Sequence, residues 1–536
     1  MPTSTSVSET SPVDDWRYTA EGGANLVLRW QGDPASLFQG KAIRLRKRPL
    51  QAADQDRPAD EVDPEAFQAA VIRPLLGGDL CLRAQPVPLE RKWLEAAADA
   101  LRKRRDRPPA RAREDDLDLG APHGTLVDDL VSGPPGQGSL TVEIKPKWGF
   151  LPAIRYLSPA TARAKTTSCR TCMHRHYKRL RKAAERATAS RADEGHVLDS
   201  SAETDQFCPL DLYSQDPERI GKALRQLYRT WNASEGTTNN LRLFLNGELL
   251  KPSEQTDLAG LEAALIASTG PASSATATDP ASAFARLLLP ILLRSPVLPR
   301  LKHLQSSLDP LDIEGLALRL RTEFGIDVYA MPGGEKEGGV AADRDKQLAE
   351  RLGGQPSVEE WAGWLEGWRA RSSPELTAAG SASSAEAAPA PAAAQPGPVG
   401  GTISQEPRDL VLAYLLSATF KDCSIFIRLP FPPPPAATSS MAPYISSPTA
   451  SPHTDADATL DKQANAAASA RDPEGVQIRV IDLDPKPLAR LGKYARLDRE
   501  IWTAAGALDS EDDAEEEEER ERAGVVGRGR RRRCWH

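Results

Sequence analysis

The sequence predicts an α+β fold in two lobes, interrupted by long disordered insertions. Short alternating strand patterns are separated by helical ones without the regular strand–helix repeat of a parallel sheet. The 536 residues suffice for one large or two medium domains. There are 45 prolines, and several stretches are almost purely Ala, Ser, Pro and Thr. Such stretches cannot bury enough apolar surface to offset the entropy of ordering, so the folded part is shorter than the chain.

Taken in order, residues 1–14 read as a disordered N-terminus. Segments 24–30 (ANLVLRW) and 41–46 (KAIRLR) alternate as strands about a polar turn of Gly32, Asp33 and Pro34. Residues 51–64 are polar and read as a loop, and 92–105 as a charged amphipathic helix. Strands are expected at 140–147 and 240–246, the second closed by Gly247, with a helix at 216–231 between them. Helices follow at 285–293 and 358–371. The latter carries Trp361, Trp364 and Trp368 at helical spacing, a packing face. A patterned island holds a helix at 410–418 and a strand at 423–429, and a strand at 476–484 precedes a helix at 488–504. Low-complexity insertions fall at 266–283, 373–405 and 431–472, and a charged tail at 509–536. The expected division is an N-lobe at 15–150 and a C-lobe at 151–505.

Composition narrows the function. Hydrophobic residues at 40% and charged residues at 27% allow a substantial core. A net charge of −7 argues against a general nucleic-acid binder while leaving room for a local basic pocket. Six cysteines in a chain this long do not make a secreted disulfide scaffold. The first residues lack a signal-peptide pattern and no apolar run approaches membrane-spanning length, so the expected compartment is cytoplasm or nucleus. The expectation is a monomer without nucleic-acid or membrane partners. The arginines at 528 and 530–533 read either as a nuclear import signal or as a solvated end.

Five segments carry chemistry. On a strand, Glu143, Lys145 and Lys147 share one face, and adjacent lysines repel unless anions lie between them. Pro146 suits a strand end opening on a cleft, although a solvated edge would also carry Lys and Pro. Asp482 and Asp484, two apart at a strand end, suit Mg²⁺, which wants oxygen ligands. Lys486, Arg490 and Tyr494 are spaced as one stripe on the following helix, with Pro487 in its first turn; an anion site or an ordinary exposed face both fit. Asp422, at a helix–strand junction, can accept a hydroxyl proton or act as a cap. Gly22 and Gly23 form a turn able to approach phosphates. Cys169, Cys172, His174 and His176, with Cys208 further on, offer a zinc half-site without a second clean pair, so packing and substrate-loop roles are the expectation.

Together and in this order, these segments resemble the inositol-pentakisphosphate 2-kinase family. The matching text is W-x-Y-x-x-EGGANLVL at 16–28, GKAIRLRK at 40–47, RPPAR at 107–111, VEIKPKWGFLP at 142–152, CRTCMHRHYK at 169–178, CPLDLYS at 208–214, NNLRLFLNG at 239–247, KDCSIFI at 421–427 and DLDPKPLARLGKY at 482–494. The resemblance implies a two-lobed inositol-phosphate kinase fold whose N-lobe is similar to that of protein kinases. It implies ATP, Mg²⁺ and inositol 1,3,4,5,6-pentakisphosphate as reactants, and inositol hexakisphosphate (phytate) as product. It casts Asp422 as the base on the 2-hydroxyl and Asp482 with Asp484 as metal ligands. Asn25, Arg44, Glu143, Lys145, Arg242 and Phe426 fall on the nucleotide side. Arg111, Lys147, Lys178, Asn239, Lys486, Arg490 and Tyr494 would hold the inositol phosphates. The chain departs from the family at Phe426, where Met is frequent, and in two further places. The stretch between LFLNG and KDCS, where members can hold zinc, has no cysteine and one histidine, His303; and Leu130 stands after Asp129 where histidine is frequent. A non-catalytic inositol-phosphate binder is the alternative; it would lack Asp422 or Asp482, and both are present.

Overall fold

The computed structural model describes residues 7, 11–50, 62–104, 107, 109–189, 206–268, 279–329, 340–372, 406–431 and 475–504. Most of the 373–405 and 431–472 insertions and the whole 509–536 tail lie outside these residues. The fold is mixed helix and sheet, with two antiparallel sheets.

In the first sheet β1 (Trp16–Glu21), β2 (Asn25–Trp30), β3 (Lys41–Pro49), β6 (His123–Asp128) and β4 (Ala84–Pro88) lie side by side, and β5 (Asp115–Leu117) pairs with β3. Alternation along β2 buries Leu26, Leu28 and Trp30 on one face, against Trp93, Leu94, Ala97, Ala98 and Leu101 of the helix Arg91–Arg102. Trp16, Trp30 and Phe38 close that core with ring centroids 5.2 to 5.4 Å apart. Beneath it lies a buried ionic cluster. Lys47 Nζ meets Glu21 at 3.0 Å and Asp115 at 2.9 Å, and the Arg107 guanidinium meets the same two carboxylates. These contacts pin the segment leading to the helix Pro109–Glu114 onto the glycine turn.

The second sheet runs β11 (Gln477–Ile481), β10 (Ser424–Pro430), β7 (Ser139–Ile144), β8 (Leu241–Leu245) and β9 (Glu248–Leu249). Every residue of β7 is buried, as befits its central place. Arg479, Phe426, Glu143 and Arg242 pair in one row across four strands, so they share a face. The large core lies among the helices around this sheet, chiefly Pro217–Ala233, Pro280–Arg294, Val297–Leu308, Asp312–Phe324, Val358–Ser372 and Pro407–Lys421. Trp361 is fully buried and Trp364 nearly so, as the packing reading of that stripe expects.

Two arrangements were not legible in the sequence. The helical stretch from Pro64 to Leu76 belongs to the larger core although it lies in the chain between β3 and β4 of the first sheet. Phe67 packs on Trp361 at 5.5 Å, and Arg300 Nη1 donates to the Leu76 carbonyl at 2.6 Å. Helices Arg170–Ala189, Gln255–Ser268 and Val340–Arg351 were also unforeseen. The expected strand at 140–147 ends at Ile144, because Pro146 has no N–H to continue the ladder.

Candidate active site

One apolar cluster joins the two sheets. Ala42 and Val127 come from the first, Phe244 and Phe426 from the second, and Leu82, Leu130 and Val131 from the connections; Val27, Ala84 and Ile481 pack on its edge. Through Phe426, which pairs with Glu143 across the sheet, this cluster adjoins the row that carries Glu143 and Arg242. Glu143 is buried, and burial pushes its carboxyl above the ordinary range, against the pull of Arg242. Arg242 Nη1 lies 3.6 Å from it. On β3, Arg44 Nη2 donates at 3.0 Å to the Asn25 amide, oriented to accept.

From this row the site runs to two carboxylate–lysine groups. Lys145 continues β7, its N–H bonded to the Asn240 carbonyl at 3.0 Å, and its Nζ lies 2.9 Å from Asp482 Oδ2. Burial would lower the Lys145 ammonium, but Asp482 and Glu143 outweigh it and raise its pKa. Ser424, fully buried on β10, reaches Glu143 Oε1 at 2.9 Å and Asp482 Oδ2 at 3.1 Å. Asp482 has a φ of 60°, a conformation that aspartate tolerates better than most residues. Asp484 follows, its Oδ1 buried and with no hydrogen-bond partner among the described residues, while Thr419 Oγ1 donates to its backbone carbonyl at 3.2 Å. A buried carboxylate oxygen left open beside a second carboxylate is the donor set a hard cation takes.

The second group centres on Asp422, which caps the C-terminus of the helix Pro407–Lys421. Lys147 Nζ approaches Oδ1 at 3.0 Å and Lys486 Nζ approaches Oδ2 at 3.1 Å. Burial raises the Asp422 carboxyl, but Lys486 and Lys147 prevail and hold it at about 2. Its side chain remains half exposed, so it is anionic and reachable. Three segments far apart in sequence therefore converge: KPK, KDCS and DLDPKP.

The stripe expected on the last helix is corrected. Pro487 caps a 3-10 turn, Leu488–Arg490, in extended conformation, and the helix proper spans 491–504. Lys486 therefore lies before the helix and turns onto Asp422, while Tyr494 packs on Tyr414 with centroids 6.2 Å apart. Among the described ion pairs and hydrogen bonds, Arg111, Lys178, Asn239, Arg490 and Tyr494 make none to the two groups. Arg111 pairs with Glu114 at 3.8 Å, and Asn239 stands next to the Asn240 that holds Lys145. Lys178, with Arg170 and Lys147, bears on His174. Burial leads and these cations add to it, dropping its imidazole to about 4.

The cysteines meet as well. Sγ atoms of Cys169, Cys172 and Cys208 all lie within 4.8 Å of one another, those of Cys169 and Cys208 at 3.8 Å, and the Cys172 N–H donates to Cys169 Sγ at 3.3 Å. His174 and His176 are not in this group; His174 stacks on Tyr177. Ser424 and Lys421 are site-shaping residues inside the KDCS segment to which the sequence assigns no role, since their partners Glu143, Asp482 and Asp309 lie far away in the chain.

A family model described as inositol-pentakisphosphate 2-kinase matches residues 18–500. A protein of that name from Cryptococcus neoformans is 26% identical over 514 residues, covering 92% of this chain and 94% of its own length. The Arabidopsis thaliana protein of that name is 28% identical over 342 residues, covering 58% and 70%. One from Danio rerio is 28% identical over 248 residues, covering 44% of each chain. With the family model spanning both sheets and every segment of the site, the chain belongs to the inositol-pentakisphosphate 2-kinase family.

Proposed function

We propose that the protein transfers the γ-phosphate of ATP to the 2-hydroxyl of inositol 1,3,4,5,6-pentakisphosphate, giving inositol hexakisphosphate. The observation that carries this reading is Asp422 held between Lys147 and Lys486, beside the Lys145–Asp482 pair. Phosphoryl transfer asks mainly for positioning and charge neutralisation. The substrate carries five phosphates of roughly −1.5 to −2 each, so it needs several cationic side chains from separate segments.

In this reading the two sheets are the cores of a kinase-like N-lobe and C-lobe, and side chains of the apolar cluster between them face the adenine. Lys145, Arg44 and Arg242 face the ATP phosphates; Lys147 and Lys486 face the inositol phosphates, with Arg111, Lys178, Asn239, Arg490 and Tyr494 further out. Asp482 and Asp484 would hold Mg²⁺, which neutralises charge on the transferring phosphoryl group. Asp422 takes the hydroxyl proton. While the lysines pair with Asp422 alone its carboxylate is a feeble base, at about 2. Phosphates that share those lysines raise its pKa toward the useful range, so binding the acceptor also strengthens the base.

Incubating the protein with Mg·ATP and inositol pentakisphosphate, then separating products, tests the activity. Asp422→Asn should keep the fold and lose about 10²–10⁴ in kcat. Near-wild-type turnover of the folded variant removes Asp422 from the role, and a wild-type protein that binds the acceptor without converting it favours a pure binder.

A further inference from the structure

We infer that Gln305 is the positioning residue that sets the phosphate-facing Lys147 and the base Asp422 against each other. The inference rests on the reading of Asp422 given above and adds a residue from outside every recognisable motif. Gln305 lies in the helix Val297–Leu308 and is completely buried.

One side-chain amide there joins two backbones. Its Nε2 donates at 3.0 Å to the carbonyl of Lys147 and at 3.0 Å to the carbonyl of Phe420. Its Oε1 accepts the Gly149 N–H at 2.8 Å. The Tyr213 hydroxyl, also buried, lies 3.3 Å from Nε2. The donors and acceptor of the amide are thus used on both sides: the turn that presents Lys147, and the last turn of the helix that presents Asp422. Ser417 Oγ on that same helix donates to the Gln305 backbone carbonyl at 2.7 Å, fixing the helix that carries the amide.

Both backbones need holding. Lys147 has a φ of 61°, a left-handed conformation costly for a residue with a Cβ and persisting only where the surroundings fix it. Two residues on, a Cβ at Gly149 would lie 2.6 Å from the Tyr213 ring, so this turn is packed against the same wall. On the other side Phe420 precedes Lys421, whose Nζ is buried on Asp309 and lies 4.0 Å from the Trp148 ring centre. The Trp148 ring and Lys421 thus face each other from the two segments that Gln305 ties. Nothing else among the described residues bonds to both main chains at this point. A buried amide satisfied on all sides is specific in a way apolar packing is not, because sliding either strand breaks a hydrogen bond in a dry site. Misplacement of reacting groups by ~1 Å can cost on the order of 10²-fold in rate.

The test uses the full-length protein, with rates expressed per folded molecule. Gln305→Met keeps the volume and removes the bonds; Gln305→Glu replaces the donor by a second acceptor; Gln305→Asn keeps the amide but shortens its reach. Each should lower kcat by about 10–100-fold and raise KM for inositol pentakisphosphate, with KM for ATP unchanged. In an Asp422→Asn background, Gln305→Met should cost little more turnover, since the two act through one group. Losses that multiply in the double variant, or that touch ATP equally, would overturn the inference in favour of a general packing role, as would failure of all three variants to fold. Near-normal turnover of Asp422→Asn alone sinks the base assignment; its loss together with normal turnover in Gln305→Met sinks only the positioning role.

Discussion

Two lysine–carboxylate clusters lie within the same half of the molecule and behave in opposite ways. In one, Lys165 is almost fully buried with Asp312 at 2.5 Å, Asp498 at 2.7 Å and Glu314 at 3.1 Å. Trp502 lies beside its ammonium, with Arg170 on Asp498 at 2.8 Å. In the other, Asp422 is half exposed between Lys147 and Lys486. The closed cluster joins the helices Pro159–Thr167, Asp312–Phe324 and 491–504 and leaves no room for a ligand. The open cluster keeps its charges at the surface, where each lysine can exchange a carboxylate for a phosphate. Burial decides which ion pairs hold a fold and which await a substrate.

Breaking the closed cluster should have the largest effect. Lys165→Met strands the buried Asp312 without its cation and leaves Asp498 with Arg170 alone, and should cost ~3–5 kcal/mol of stability, read by chemical denaturation. A loss under about 1 kcal/mol would mean that water reaches the cluster and that the contrast is false. The open cluster should answer in binding instead. Lys486→Ala should weaken inositol-pentakisphosphate affinity by roughly 10–100-fold, with ATP affinity and melting temperature nearly intact, in calorimetry. A fall in ATP affinity of similar size would move Lys486 to the nucleotide side.

The thiol cluster supplies the smallest effect and sharpens the comparison, because it is buried and built from thiols rather than charges. A tetrahedral zinc with Zn–S of about 2.3 Å separates its sulfurs by about 3.8 Å, the spacing of Cys169 and Cys208. Metal analysis separates a zinc site, at about one equivalent abolished by Cys169→Ser with Cys172→Ser, from the expected packing role, and turnover of the double variant should change less than fivefold. Metal-free, fully active protein would return these residues to packing.

The sequence revealed the site better than the architecture. Glu143, Lys145, Lys147, Asp422 and Asp482 lie at strand ends and junctions, where local pattern and turn chemistry speak directly. Their convergence depends on sheet pairing across long insertions, which local pattern cannot supply. The 486–494 stripe failed because helical spacing was projected through Pro487, which fixes an extended cap and re-aims Lys486. Gln305 was invisible because its helix, Val297–Leu308, was not expected from the sequence and a single glutamine carries no spacing signal; only the fold discloses three backbone groups awaiting it. The 64–76 stretch was lost because its apolar face matches a core built 200 to 300 residues later, through Arg300 and Trp361.

Early residues that join late ones also order events during synthesis. Val480 donates its N–H to the Leu80 carbonyl at 2.8 Å, and Cys81 bridges to Val480. At about 5–20 residues per second, a ribosome needs roughly 20–80 s to make the chain between these partners. For roughly the first two-thirds of that interval Phe67, Ile72 and Leu76 have been made while Trp361, on which Phe67 packs, has not. The nascent chain thus carries this apolar helix without its Trp361 partner for roughly half of its own translation.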